Sequence, residues 1–239
     1  MIGPMSIQRR PAAERGPTRL DWLDSRHSFS FGHYYDPQHM GFGPLRVINE
    51  DVVAPGAGFG THGHANMEIV TVVLRGALAH KDSSGGQGTL RPGDVQRMSA
   101  GSGVLHSEFN ASSTEPVHFL QIWVQPATLH GAPDYAQAAF DRQARRGRLQ
   151  AWLTPDGADA SLTWRQDARL FGAVLAAGER IEHRLDPGRR GWVQVAAGEV
   201  ELDGQVLRAG DGAAITGSDA VRLTGRGAGE ADLLLFDLP

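Results

Sequence analysis

The same hairpin and the same turn occur twice in this chain of 239 residues. Gly76-Ala-Leu-Ala-His80 leads on to Leu90-Arg-Pro-Gly-Asp94, and Gly198-Glu-Val-Glu-Leu202 leads on to Leu207-Arg-Ala-Gly-Asp211. Each copy sits at the corresponding place in its half, which is the mark of an internal duplication. Around them, 31 glycines and 13 prolines punctuate short apolar runs, among them 45–53, 68–74, 117–124, 192–196 and 233–236. Short strands with Gly-rich turns indicate a barrel or sandwich. Gly76 and Gly198 fall between strand-like segments, where a tight turn needs a residue free of Cβ. The sequence thus predicts an all-β fold of two tandem barrels, one over residues 1–125 and one over 149–239. A linker over 126–148 loses the strand pattern, and Pro133 to Phe140 within it reads as a short helix. The aromatic and Gly-rich stretch from Asp21 to Gly43 has no clear period and reads as irregular chain wrapped over a barrel.

Composition removes several classes of function. There is no cysteine, so disulfides, thiolate metal sites and thiol nucleophiles are excluded together. No run is long and apolar enough to cross a bilayer, and the basic pair Arg9-Arg10 has no apolar stretch behind it, so a cytoplasmic protein without a membrane role is expected. The formal net charge is −4, and the one basic cluster, Arg145, Arg146 and Arg148, reads as a solvated linker. Direct nucleic-acid binding is not expected. A monomer is.

Two pairs of ligand-type residues carry the chemistry. In Gly56-Ala-Gly-Phe-Gly-Thr-His62-Gly-His64 the imidazoles stand at i and i+2, so on a strand both share one face while Gly63 points away. Forty-odd residues later, Gly103-Val-Leu-His106-Ser-Glu108 repeats that spacing. If both strands turn these faces inward, four ligands converge near the mouth of one barrel. Three buried imidazoles and a carboxylate without a cation would leave a costly uncompensated charge, and a metal ion supplies the compensation. In the second half, His183 is followed by Arg184 and Leu185 and has no partner pair, so that barrel reads as metal-free packing.

Other patterns dissolve on context. Gly58-Phe-Gly-Thr-His-Gly63 matches a dinucleotide-binding fingerprint literally but opens no helix. Ser107 between His106 and Glu108 suggests a hydrolase, yet neighbours on a strand face opposite ways and no nucleophile elbow exists. His27, His33, His39, His80, His118 and His130 lack ligand spacing and read as hydrogen-bonding residues.

The run Gly56 to Glu68, with its His-x-His and following Glu, resembles the first cupin motif, and Gly93 to Asn110 resembles the second. More narrowly, Arg26-His-Ser-Phe-Ser-Phe-Gly-His-Tyr-Tyr-Asp-Pro37, the His-Gly-His triplet and Gly103-Val-Leu-His-Ser-Glu108 resemble the pirin family of bicupins. The likeness covers about Thr18 to Val124; in the C-terminal half it is one of architecture and turn pattern. It implies two double-stranded β-helix (jelly-roll) barrels. In most cupins Glu68 would be the carboxylate ligand; the likeness to pirins gives that role to Glu108 and leaves Glu68 a supporting or structural place. Ser99 departs from the second cupin motif, which usually has proline there.

Three imidazoles and a carboxylate leave one or two positions open on an octahedral ion, which suits Fe(II) and accepts Mn, Co, Ni or Cu, while Zn would be nearly saturated. The resemblance further implies quercetin 2,3-dioxygenase activity, in which a flavonol binds the metal through its 3-hydroxyl and is cleaved by O₂ with release of carbon monoxide. Glu108 would then accept the hydroxyl proton, and Phe29, Phe31 and Phe59 are candidates to cover the rings. The partners so implied are an aromatic or enolic small molecule and O₂. The competing implication is a non-enzymatic iron protein whose oxidation state serves as a switch for a transcription partner; a third is a bicupin whose metal staples the barrel. Arginine almost replaces lysine, Lys81 being the one lysine, and this favours the bacterial enzyme class.

Overall fold

The structure, a computed structural model, describes residues 6–239. Strands account for the regular structure, with only single 3-10 turns at Ala12–Glu14, Gln143–Arg145 and Ala158–Ala160 among the described residues. The chain divides into two compact units, and each is a barrel of one seven-stranded and one four-stranded sheet. In the N-terminal unit the large sheet runs Asp134–Ala139, Asp94–Ser99, Glu68–Arg75, Val117–Val124, Leu45–Val53, Leu23–His27, Gly16–Leu20, and the small one Gly58–His64, Val104–Asn110, Leu78–Asp82, Gln87–Leu90. In the C-terminal unit the large sheet runs Ser6–Arg10, Gly212–Thr216, Arg190–Ala197, Ala231–Leu238, Arg169–Leu175, Gln150–Thr154, Leu162–Thr163, and the small one Arg180–Arg184, Ala220–Arg226, Glu199–Leu202, Gln205–Arg208. The small sheets and the inner strands of the large sheets correspond in order, as two copies of one double-stranded β-helix require, while the outermost strands of the large sheets differ in chain order and, at one edge, in direction.

The repeated turn is the same object in both copies. Asp94 N–H donates to the Arg91 carbonyl (2.9 Å) and its carboxylate accepts from Arg91 N–H (2.8 Å). Asp211 does the same with Arg208 (2.8 and 3.0 Å). Gly76 and Gly198 adopt φ of +81° and +72°, the left-handed region their turns demand.

Three expectations need correction. Residues 134–139 form a strand, not a helix, paired in register with Asp94–Ser99 from Asp134↔Ser99 to Ala139↔Asp94. A helix of two turns is marginal alone, whereas pairing satisfies a whole sheet edge. This strand therefore belongs to the N-terminal unit, which extends over 16–140 and takes in 164–166, rather than to a linker. The converse holds at the start of the chain. Ser6–Arg10 pairs with Gly212–Thr216, so residues 6–15 sit in the C-terminal unit with 141–163 and 167–239, not in the first barrel. Lastly, the stretch 21–43 is only partly irregular, because Leu23–His27 pairs with Leu45–Val53.

The interiors differ in one respect that positions the site. The inward faces of the C-terminal barrel carry an apolar cluster that includes Leu175, Val193, Val195, Val221, Leu223, Leu233 and Leu235. In the N-terminal barrel two apolar clusters are separate: Val53, Val73, Leu78 and Phe119 at one level, Ile69, Met98 and Val104 at another. Between them on the same inward faces lie Asp51, Thr71, Gln96, His106, Glu108 and Gln121, all buried. The first barrel has a polar belt where the second has hydrocarbon.

Candidate metal centre

Strand Val104–Asn110 alternates strictly. Val104, His106, Glu108 and Asn110 are buried, while Leu105 and Phe109 are exposed. Its partner Gly58–His64 is half glycine or small, and His62 stands directly opposite His106. The Nε2 atoms of His64 and His106 are 3.0 Å apart, and those of His106 and His62 2.9 Å apart. His62 Nδ1–H donates to the Gly60 carbonyl (2.8 Å), which leaves its Nε2 lone pair for the cluster. Burial, with the nearby His62, lowers His64 to about 4 and His106 to about 3, so both rings are neutral and ligand-ready at neutral pH.

Three imidazole nitrogens gathered this closely are arranged to share a cation. Bonds of about 2.1 Å place nitrogens at right angles on an octahedral ion about 3.0 Å apart, against about 3.4 Å on a tetrahedral one. The observed separations match the octahedral value. The donor set therefore fits a six-coordinate divalent transition metal.

Glu108 stands beside this trio, with His80 and His106, as a second close group. One carboxylate oxygen accepts from Gln121 Nε2 (2.8 Å) and the other lies 3.4 Å from Thr71 Oγ1. A ladder stands behind it: Gln96 Nε2 donates to Thr71 Oγ1 (3.2 Å), and that hydroxyl donates to Gln121 Oε1 (2.8 Å). Burial, and then the charge of Asp51, push Glu108 up to about 7 against the pull of Gln121 and Thr71. Asp51 is itself pushed up to about 7 by burial.

Glu68 is buried apart from the trio and accepts from Ser99 Oγ at 2.6 Å, so the serine that departs from the cupin motif is its partner. Asn110 donates to the carbonyls of Val53, Ala54 and Glu115 and pins a loop. In the second barrel His183 pairs with Asp237 (2.8 Å) and lies opposite Val221 in the small sheet.

A cavity opens onto His62, His64 and Glu108. Phe31 and Phe59 line it as anticipated, but Phe29 is buried elsewhere and does not. Trp123 completes the wall, its ring 4.8 Å from that of His64 and 5.3 Å from that of Phe31. His27, set aside in the sequence, also lines it, held by Asn49 Oδ1 (2.7 Å) and Thr18 Oγ1 (2.8 Å). Gly58 allows the close approach of the strands that carry His62, His64, His106 and Glu108, since a Cβ there would meet the Glu108 carbonyl at 2.3 Å. Gly58→Ala is expected to cost about 1–3 kcal/mol of stability and to weaken metal binding without touching a ligand. Melting curves and a Ni(II) titration check both.

The chain is similar to known proteins along its length. Residues 8–124 match the family model described as Pirin, and residues 152–238 match the quercetinase C-terminal cupin domain. The chain is 45 % identical over 233 residues to a protein of Escherichia coli strain K12 named quercetin 2,3-dioxygenase, covering 98 % of this chain and 99 % of that one. A pirin-like protein of Caulobacter vibrioides is 42 % identical, with 97 % and 99 % covered. The crystal structure of bacterial pirin YhhW from Escherichia coli in complex with nickel(II) superposes with a TM-score of 0.93 at 44 % identity, with 98 % of this chain and 99 % of that one covered.

Proposed function

The chain belongs to the pirin family, and on that premise we propose that it is a metal-dependent dioxygenase that opens a flavonol such as quercetin with O₂. His62, His64, His106 and Glu108 are its metal ligands, and Fe(II) is the ion it uses. The observation that carries the reading is the three-imidazole cluster at the wall of an aromatic-lined cavity, with an ionisable carboxyl beside it.

Held by these residues, the ion would supply Lewis acidity toward an enolic oxygen and redox chemistry toward dioxygen. The chain's residues do the rest. Phe31, Phe59 and Trp123 present ring faces and edges to a flat polyphenol and keep water from it. Glu108, near 7, accepts the proton of the substrate's acidic hydroxyl, and Gln121 and Thr71 hold its carboxylate in place for that transfer. Asp51 lines the same cavity and offers a polar contact to a further phenolic hydroxyl, while the His27 ring, both of its nitrogens engaged by Asn49 and Thr18, forms part of the wall. Both atoms of O₂ enter the products, and one ring carbon leaves as carbon monoxide.

The test is loss of quercetin absorbance together with oxygen uptake by metal-loaded protein under air. Turnover is expected with Fe(II) and is expected to vanish with chelator. Stoichiometric quercetin binding without oxygen uptake would instead support the non-enzymatic reading.

A further inference from the structure

His80 and Asp82 lie on Leu78–Asp82, the strand that pairs with the other side of the His106 and Glu108 strand: Asp82 faces His106 and His80 faces Glu108. Both side chains are fully buried, and the His80 ring lies 5.6 Å from that of His106. Tyr135 stacks on the His80 ring at 5.0 Å and 8°. The Asp82 carboxylate is surrounded by donors: Ser84 N–H (2.8 Å), Ser84 Oγ (2.5 Å), Gly86 N–H (3.1 Å) and His80 Nε2 (3.0 Å). A carboxylate so placed is an acceptor only, so the proton of the His80 ring sits on Nε2 and its Nδ1 is an acceptor.

That Nδ1 is buried and has no partner. The Nδ1 of His106 is also buried and also has none. When its Nε2 ligates the metal, His106 carries its proton on Nδ1, so one orphan is then a donor and the other an acceptor. A ring nitrogen of His80 and one of His106 lie within 4.8 Å, the span of one small shift or one bridging water.

We propose that His80 and Asp82 are the positioning pair of His106: Asp82 fixes the His80 tautomer, and His80 accepts the Nδ1–H of His106, which orients that ring and presents its Nε2 to the metal. Ligating imidazoles are commonly tuned this way by a partner behind them. The inference rests on His106 being a ligand, as proposed above.

The decisive variant is Asp82→Asn. Its amide oxygen retains the bonds from Ser84 and Gly86, but its NH₂ faces His80 Nε2 and moves the His80 proton to Nδ1, where it opposes the His106 N–H. Nickel(II) affinity, measured by chelator competition, is expected to fall about 10–100-fold in Asp82→Asn and in His80→Phe. It is expected to recover largely in His80→Gln, whose amide oxygen can accept. The ligand-field spectrum of the Co(II)-loaded protein should shift in the first two variants and return in the third. Wild-type affinity in both Asp82→Asn and His80→Phe, or equal losses in His80→Phe and His80→Gln, would overturn the pairing. A His106→Ala control separates the two levels: if it too binds nickel normally, the ligand assignment fails and not the pairing alone.

Discussion

Glu108→Gln is expected to lower quercetin turnover by about 10³-fold or more while making the metal-free protein more stable at pH 8. Loss of a ligand and of the proton acceptor in one change accounts for the first effect, since a positioned base alone contributes about 10²–10⁴-fold. The second follows from burial. In the folded metal-free chain Glu108 ionises near 7, against an ordinary 4.5. Between those values the folded state holds a proton that the unfolded chain has shed, so stability falls as pH rises through this window and stays low above 7. The gap corresponds to about 3 kcal/mol at most. Glutamine carries no charge to bury, accepts from Gln121 as the carboxylate does, and avoids that cost. Melting curves in chelator should coincide for the two proteins at pH 4.5 and diverge by several degrees at pH 8. A variant that melts lower than the wild type at pH 8 would mean that the carboxylate is structurally required, contrary to this account.

The opposition between stability and chemistry also explains what could be seen in the sequence. The duplication was legible because Leu-Arg-x-Gly-Asp builds one turn twice, each aspartate closing on its own arginine backbone. The trio was legible because i, i+2 spacing on a strand fixes a shared face, and His62 and His106 do stand opposite each other. The partner of each barrel's edge strand was not: residues 134–139 are Ala-rich and weakly patterned, and only the unpaired edge of Asp94–Ser99 makes them a strand. Nor were the residues behind the ligands. Thr71 sits between Ile69 and Val73, and Gln121 between Phe119 and Trp123, each a polar residue at the middle inward position of an otherwise apolar face. That pattern was a usable signal. It marks two strands of the polar belt, and the second barrel, whose corresponding faces read Val193, Val195 and Leu233, Leu235, lacks it. His80 was passed over because spacing along the chain cannot show a contact made diagonally across two strands.

Metal uptake is expected to depend on pH through Glu108 and not through His64 or His106. His64 and His106, lowered to about 4 and about 3 by burial and by neighbouring rings, are neutral throughout pH 5–8 and have no proton to give up in that range. Glu108, raised to about 7, must lose its proton before it can bind a cation. Affinity for Ni(II) should therefore be level above pH 7.5 and, through this residue, fall about tenfold for each pH unit below 6.5. The sign is that of a raised acid: protonation below its folded value removes the ligand, whereas an unperturbed carboxylate would keep the site open down to about pH 4.5. In Glu108→Gln this component should disappear, leaving a weaker affinity that varies less between pH 8 and pH 5.5. Chelator competition at half-unit intervals reads both curves. If the two fall in parallel, the proton released on binding comes from elsewhere, and Glu108 is a bystander in the cavity rather than a member of the metal's coordination shell.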